Sequence, residues 1–146
     1  MRLRLAVPAD TPVLLDMAKK FISQSPYADY EVDDDKIIDL ISNCFDYTKN
    51  IIFVFTTDED HPVGMLAATT SQFLFNRKLV ASEMVWWVEP SYRGRGGLVL
   101  KAAFEHWARH RGASIAHMSS LNTPLVNKLM ERSGYTMTEC TFLKEL

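Results

Sequence analysis

Few folds are open to a chain that runs from a buried strand, through a proline and a cluster of glycines, straight into an amphipathic helix. The stretch Glu83–Lys101 of this 146-residue chain, EMVWWVEPSYRGRGGLVLK, does this. Met84 to Val88 is apolar and aromatic, which suits a buried strand. Pro90 ends it, because proline has no N–H to give to a ladder. Arg93, Gly94, Arg95, Gly96 and Gly97 form a basic, glycine-dense turn. Leu100, Phe104, Trp107 and Ala108 then recur at i, i+4, i+7 and i+8, the stripe of a helix. Such a turn lets backbone approach a ligand closely, and the first helical N–H groups lack partners at the positive end of the helix dipole. Arg93 and Arg95 add mobile cationic donors, so a phosphate or pyrophosphate is the expected guest. Neither Gly-Lys-Ser/Thr nor G-x-G-x-x-G is present, which excludes a Walker loop and the dinucleotide fingerprint. A tight structural turn with solvated arginines is the plain alternative.

The flanking sequence predicts one domain over residues 1–146. Alternating Arg2–Ala6 reads as a half-exposed strand. Asp10 is a candidate N-cap, with Pro12 in the first turn and Leu14, Met17, Ala18 and Phe21 on one helical face. Pro26 ends that helix, and Asp33 is expected to cap a second one striped by Ile37, Leu40, Ile41 and Cys44. Three strands follow: Ile51–Phe55, Val63–Phe75 and Lys78–Val88. After the glycine turn come a helix over about 97–111 closed by Gly112, a short strand over 114–118, and a helix capped by Asn122 or Thr123. Tyr135–Leu146 alternates loosely and predicts one or two closing strands.

Net charge is −2 with a pI near 6.1, which argues against nucleic-acid binding by general electrostatics. No run of about 18 apolar residues exists, so no membrane span is expected. The first ten residues lack the apolar core of a signal peptide. Cys44 and Cys140 have no paired spacing and read as free thiols of a reducing, cytoplasmic setting. His106 and His110 stand at i, i+4, but no H-E-x-x-H accompanies them, so no metal is expected.

The segment Val88, Pro90, Arg93, Gly94, Gly96 resembles motif A of the GNAT N-acetyltransferases, V-x-P-x-x-R-G-x-G-x-G/A. Leu129-Met130-Glu131-Arg132-Ser133-Gly134-Tyr135 is similar to the family's later L-Y-E-K-x-G-F. The resemblance spans nearly the whole chain. It implies an α/β (mixed α+β) GNAT fold, with a mostly antiparallel sheet of about six to seven strands and four helices. It implies acetyl-CoA as cosubstrate, its pyrophosphate on Arg93–Leu98 and its pantetheine on the main chain of Trp86, Trp87 and Val88. Two positions depart from the family. Leu98 stands where the last Gly/Ala falls in strict register, unless Gly97 takes that role in a shorter loop. Met130 replaces the tyrosine that serves as general acid, so the thiolate leaves unassisted or through water, or Tyr135, Ser119 or Ser120 substitutes. Asn122 is carried as a cofactor contact, one residue off the family's asparagine.

Acyl transfer from a thioester to an amine needs a base for the amine proton and donors for the oxyanion. Glu83 is the candidate base: alternation puts it on the face of Val85 and Trp87, and apolar surroundings raise a carboxyl pKa. It matches the strand glutamate that is the base in histone-acetylating members. Tyr27 and Tyr30, on the loop between the first two helices, are candidate acceptor contacts, where Asp29, Glu31 and Asp33 would attract a cationic amine of a small molecule or a protein. Against this, a strand-end glutamate and loop acids are ordinarily just solvated. Many members dimerise, so a homodimer stays open, and the run W-W-V-x-P-x-Y-R-G looks like members carried by bacteriophages. The rival readings are a GNAT-fold module that binds CoA without turnover and a nucleotide-binding regulatory domain.

Overall fold

The computed structural model describes residues 1–121 and 123–146. The elements are β1 (Arg2–Leu5), α1 (Thr11–Ser23), α2 (Asp34–Ser42), β2 (Asn50–Thr56), β3 (Pro62–Gln72), β4 (Leu79–Val88), α3 (Arg95–His110), β5 (Ile115–His117) and α4 (Pro124–Arg132), with short 3₁₀ turns at Pro8–Asp10 and Pro90–Tyr92. The five strands lie in the order β1-β2-β3-β4-β5. The first four pair antiparallel, and β5 joins β4 in parallel.

The sheet is buried on both faces, which explains the unbroken apolar run of β2. Ile51, Phe53 and Phe55 point to a cluster with Leu100, Phe104, Trp107 and Ala108 of α3. Ile52 and Val54 point the other way, to Leu14, Met17 and Ala18 of α1 and Ile41 of α2. Side chains alternate across a strand, so each residue type serves one layer. Phe104 is completely enclosed, and truncating such a ring typically costs about 3–5 kcal/mol.

Two expectations are corrected here. Among the described residues the sheet has five strands rather than six or seven, and no strand forms over residues 135–146. Alternation alone does not make a strand; it needs an edge to pair with, and Met137, Phe142, Leu143 and Leu146 remain exposed instead. Asp10 precedes α1 but makes no cap with its side chain. Its carboxylate takes two bonds from the Arg4 guanidinium (2.7 and 3.0 Å) and one from the Val7 N–H (2.8 Å), tying β1 to the start of α1. Burial alone would raise the Asp10 pKa, but Arg4 and the Val7 amide outweigh it and hold the group below its ordinary value. Asp33 does cap α2, accepting from Lys36 N–H at 3.1 Å.

Helix α3 begins at Arg95, earlier than the pattern suggests, so Gly96 and Gly97 lie in its first turn. Gly94 before it has φ +84°, the left-handed region that glycine enters without strain. A Cβ on Gly96 would sit 2.9 Å from Phe55 Cδ1 and 3.2 Å from Val88 Cγ1. The helix therefore rests directly on the sheet. Gly96→Ala should lower stability by roughly 1–3 kcal/mol in urea denaturation, because overpacking outweighs alanine's helix preference; a gain in stability would show that this contact yields.

Candidate active site

The site begins where β4 loses a neighbour. β4 and β5 pair at Val80–Ile115, Ala81–Ala116 and Ser82–His117, and there β5 ends. β4 continues to Val88 with β3 alone beside it among the described residues. Two parallel strands that pair briefly and then part leave a cleft, walled by Glu83–Val88 on one side.

A bulge sets what faces that cleft. Ala67 pairs with Val85 but Ala68 pairs with Glu83, so Met84 is an extra residue in β4. An inserted residue resets the alternation. Facing partners share a side of the sheet, so Glu83 goes with Ala68 and Ala81, both in the α3-side cluster that Trp86 and Val88 also join. Val85 and Trp87 pack on the α1 side. This corrects the expectation that Glu83 shares a face with Val85 and Trp87. Simple alternation holds only in an unbulged strand.

Glu83 Oε2 accepts the Ser119 N–H at 3.1 Å, across the root of the cleft. Burial pushes the Glu83 pKa up to about 7, against a smaller opposing effect of that hydrogen bond. A carboxyl there changes charge near neutrality.

At the wide end lies the first turn of α3. Gly97 packs on the Trp86 indole: a Cβ there would be 3.2 Å from Cζ2. Leu98 turns outward and is half exposed, so Gly97 and not residue 98 makes the close approach. The Trp86 Nε1–H is buried and finds no acceptor among the described residues. Arg93 is less mobile than the sequence suggests. Its Nε donates to Val88 O (3.1 Å), its Nη2 to Gln24 Oε1 (3.3 Å), and its guanidinium lies 5.0 Å from the centre of the Trp87 ring. Arg95 is exposed. Trp87 is a core residue on the α1 side whose Nε1 donates to Glu89 Oε1 at 3.4 Å.

Tyr27 and Tyr30 do come together, edge to face with centroids 6.1 Å apart. They line a shallow pocket of about 380 Å³ with Ile22, Glu31, Lys36 and Ile37. None of the residues lining it belongs to β4 or to the chain after β5. Of the alternative acids, Ser120 Oγ donates to Asn127 Oδ1 at 2.7 Å. Tyr135 packs under Lys101, 5.4 Å from its ring, and burial, with the charge of Glu105 adding to it, raises its pKa. Met130 is buried. The expected contact Asn122 lies outside the described residues. Sequence reasoning missed the Ser119 amide, the bulge at Met84 and the Trp86 side-chain donor. Only the last had a signal, a bulky indole facing a glycine pair. Among the described residues no three His, Cys, Asp or Glu side chains gather as a metal site would require, and no helix is long and apolar enough to cross a membrane.

The model of the acetyltransferase (GNAT) family matches residues 15–135, and the chain belongs to that family. No curated protein matches it in sequence. Solved structures share its fold at low identity. A Bacillus halodurans structure titled as a transcriptional regulator superposes with a TM-score of 0.81 at 16% identity, over 99% of each chain. The aminoglycoside antibiotic 6'-N-acetyltransferase AAC(6')-IG of Acinetobacter haemolyticus gives 0.74 at 17%, over 100% of this chain and 99% of that one. A Trypanosoma brucei acetyltransferase gives 0.73 at 17%, over 99% of each.

The family's cosubstrate is acetyl-CoA, and the residues present fit it. The close-packed glycines, a long helix starting at the end of β4 and a buried unsatisfied donor suit a phosphate-bearing chain laid along β4.

The charge state of Glu83 has a consequence for folding. Its folded pKa, about 7, lies above the unfolded value of 4.5, so the folded state binds more protons between those pH values. Stability from this group is therefore fully present below pH 4.5 and is lost as pH rises through 7. Glu83→Gln should accordingly gain stability over wild type at pH 8 relative to pH 5, on the order of a few kcal/mol by denaturant titration. An equal difference at both pH values would mean the carboxyl is not desolvated.

Proposed function

We propose that the protein is an N-acetyltransferase that moves the acetyl group of acetyl-CoA onto an amine by direct attack, with Glu83 as general base. One observation carries this: a carboxyl with a pKa near 7 stands at the root of the cleft between β4 and β5. Acetyl-CoA supplies an activated acyl group and a thiol leaving group. The rest falls to the chain. Glu83, as carboxylate, takes the proton that the amine must lose as its nitrogen bonds to the acyl carbon. The Ser119 amide holds Glu83 in place. The free edge of β4, over Trp86, Trp87 and Val88, offers main-chain groups to the pantetheine arm, and the N–H groups of Arg95, Gly96 and Gly97 face the diphosphate. Arg93 braces this corner through Val88 O, and Arg95 adds a cation at its rim.

The acceptor is an amine, and Tyr27 and Tyr30 form the lip that receives it. Glu31, Asp33, Asp34 and Asp35 beside that pocket favour a cationic acceptor. The free thiols of Cys44 and Cys140 suit a cytoplasmic setting. Buried Met130 supports a second reading. A thioether gives no proton to the departing thiolate, and a domain without an acid at that position would serve as a CoA-binding module without turnover. Tight CoA binding with no thiol release across a broad amine and peptide panel would favour that second reading.

Glu83→Gln should reduce kcat by roughly 10²–10⁴-fold while the Kd for CoA, read by calorimetry, stays within about threefold. Wild-type kcat/KM should fall below pH 7, following the protonation of one group. Unaltered turnover across pH would remove Glu83 from the role. Arg93→Ala should weaken CoA binding by about tenfold, since a charged donor at that corner is lost; an unchanged Kd would move the diphosphate away from this turn.

A further inference from the structure

A buried donor without an acceptor is uncommon, because leaving it unpaired costs the full desolvation of the group. Three buried side-chain polar atoms lack a partner among the described residues, and one of them is the indole nitrogen of Trp86. Its position is informative. Trp86 lies on the segment of β4 that has parted from β5, on the face toward α3. Its Nε1 is 3.9 Å from where a Cβ of Gly97 would be, in the first turn of α3. Its neighbour makes the contrast: Trp87 buries its ring on the α1 side and satisfies its N–H on Glu89. A tryptophan kept only for packing could be replaced by phenylalanine without the unpaired donor, since an indole N–H donates and cannot accept.

We propose that the Trp86 side chain is a ligand-binding group: its indole N–H donates to an oxygen of the bound coenzyme beside the first turn of α3. This rests on the acyl-CoA reading above and adds a side-chain contact to it. Trp86 then serves twice, its backbone along the pantetheine arm and its ring as both floor for Gly97 and donor to the guest.

The test uses the full chain. Trp86→Phe keeps an aromatic ring at this position and removes the donor together with part of the indole on which Gly97 packs. Its Kd for CoA should rise about tenfold by calorimetry, while the melting temperature without ligand falls by no more than the loss of part of a packed ring explains. In wild type, the Trp86 indole N–H resonance should move downfield on CoA addition and exchange more slowly with solvent. This second readout needs no variant and stands even if Trp86→Phe folds poorly. Equal Kd values for the two proteins, or an indole resonance unmoved at saturation, would overturn the proposal. Wild type that fails to bind CoA at all would instead overturn the acyl-CoA reading itself, so the two failures are distinct.

Discussion

One close contact governs the upper half of this molecule: the first turn of α3 lies on side chains of the sheet with none of its own, at Gly96 and Gly97, in between. Gly96 rests on Phe55 and Val88, and Gly97 on the Trp86 ring. Any larger residue would lift the helix start away from the end of β4. Because it is not lifted, the unpaired N–H groups of that turn open beside the last residues of the strand. Gly94 makes the entry possible with its left-handed backbone, and Arg93 fastens the corner by bonding Val88 O and capping the Trp87 ring. These interactions differ in kind, but all hold one helix end against one strand end.

The second constraint is a sheet that is deliberately incomplete on one side of β4. A strand gains from two neighbours, yet among the described residues β4 has two over only three residue pairs. The layers compensate. Leu100 and Phe104 of α3 press the sheet from one side, while Leu14 and Met17 of α1 do so from the other, and all four are almost fully enclosed. The core is thick enough to tolerate a cleft at its margin and a carboxyl half buried within it. Glu83 is stable in that place only with a proton or a partner, and the single backbone amide of Ser119 does not fully offset its desolvation. The group proposed as the base is thus also one that the sheet holds at a cost.

Much of this was legible in the sequence, for identifiable reasons. Pro90 and the glycines punctuate the chain so strongly that strand, turn and helix could be read in order, and the Asp33 cap behaves as its neighbours foretell. Glu83 is visible as a charge in an apolar strand. What could not be read is everything that depends on pairing partners. Met84 is one more apolar residue in an apolar run, and nothing local marks it as the bulge. Asp10 has the right identity for a cap, but Arg4, from the neighbouring strand, claims its carboxylate. Arg93 reads as a mobile cation until its bonds to Val88 and Gln24 are seen. Residues 135–146 alternate as a strand should, yet form none. In each case tertiary geometry, absent from any short window, overrode the local signal.

The bulge also shapes how this site can change by mutation. Which face Glu83 presents is set by a residue count between Ala81 and Trp86, not by the chemistry of any one side chain there. Met84 itself is exposed, so its identity is free to drift. Losing Met84 would remove the bulge and leave Glu83, Trp86 and Val88 on one face by plain alternation, whereas losing Ser82, with the same return to plain alternation, would carry the carboxyl through the sheet to the α1 layer. The site is thus written partly as a length: the number of residues on each side of Glu83 decides its face, and a chain that keeps the glutamate but differs in that count need not present it toward α3.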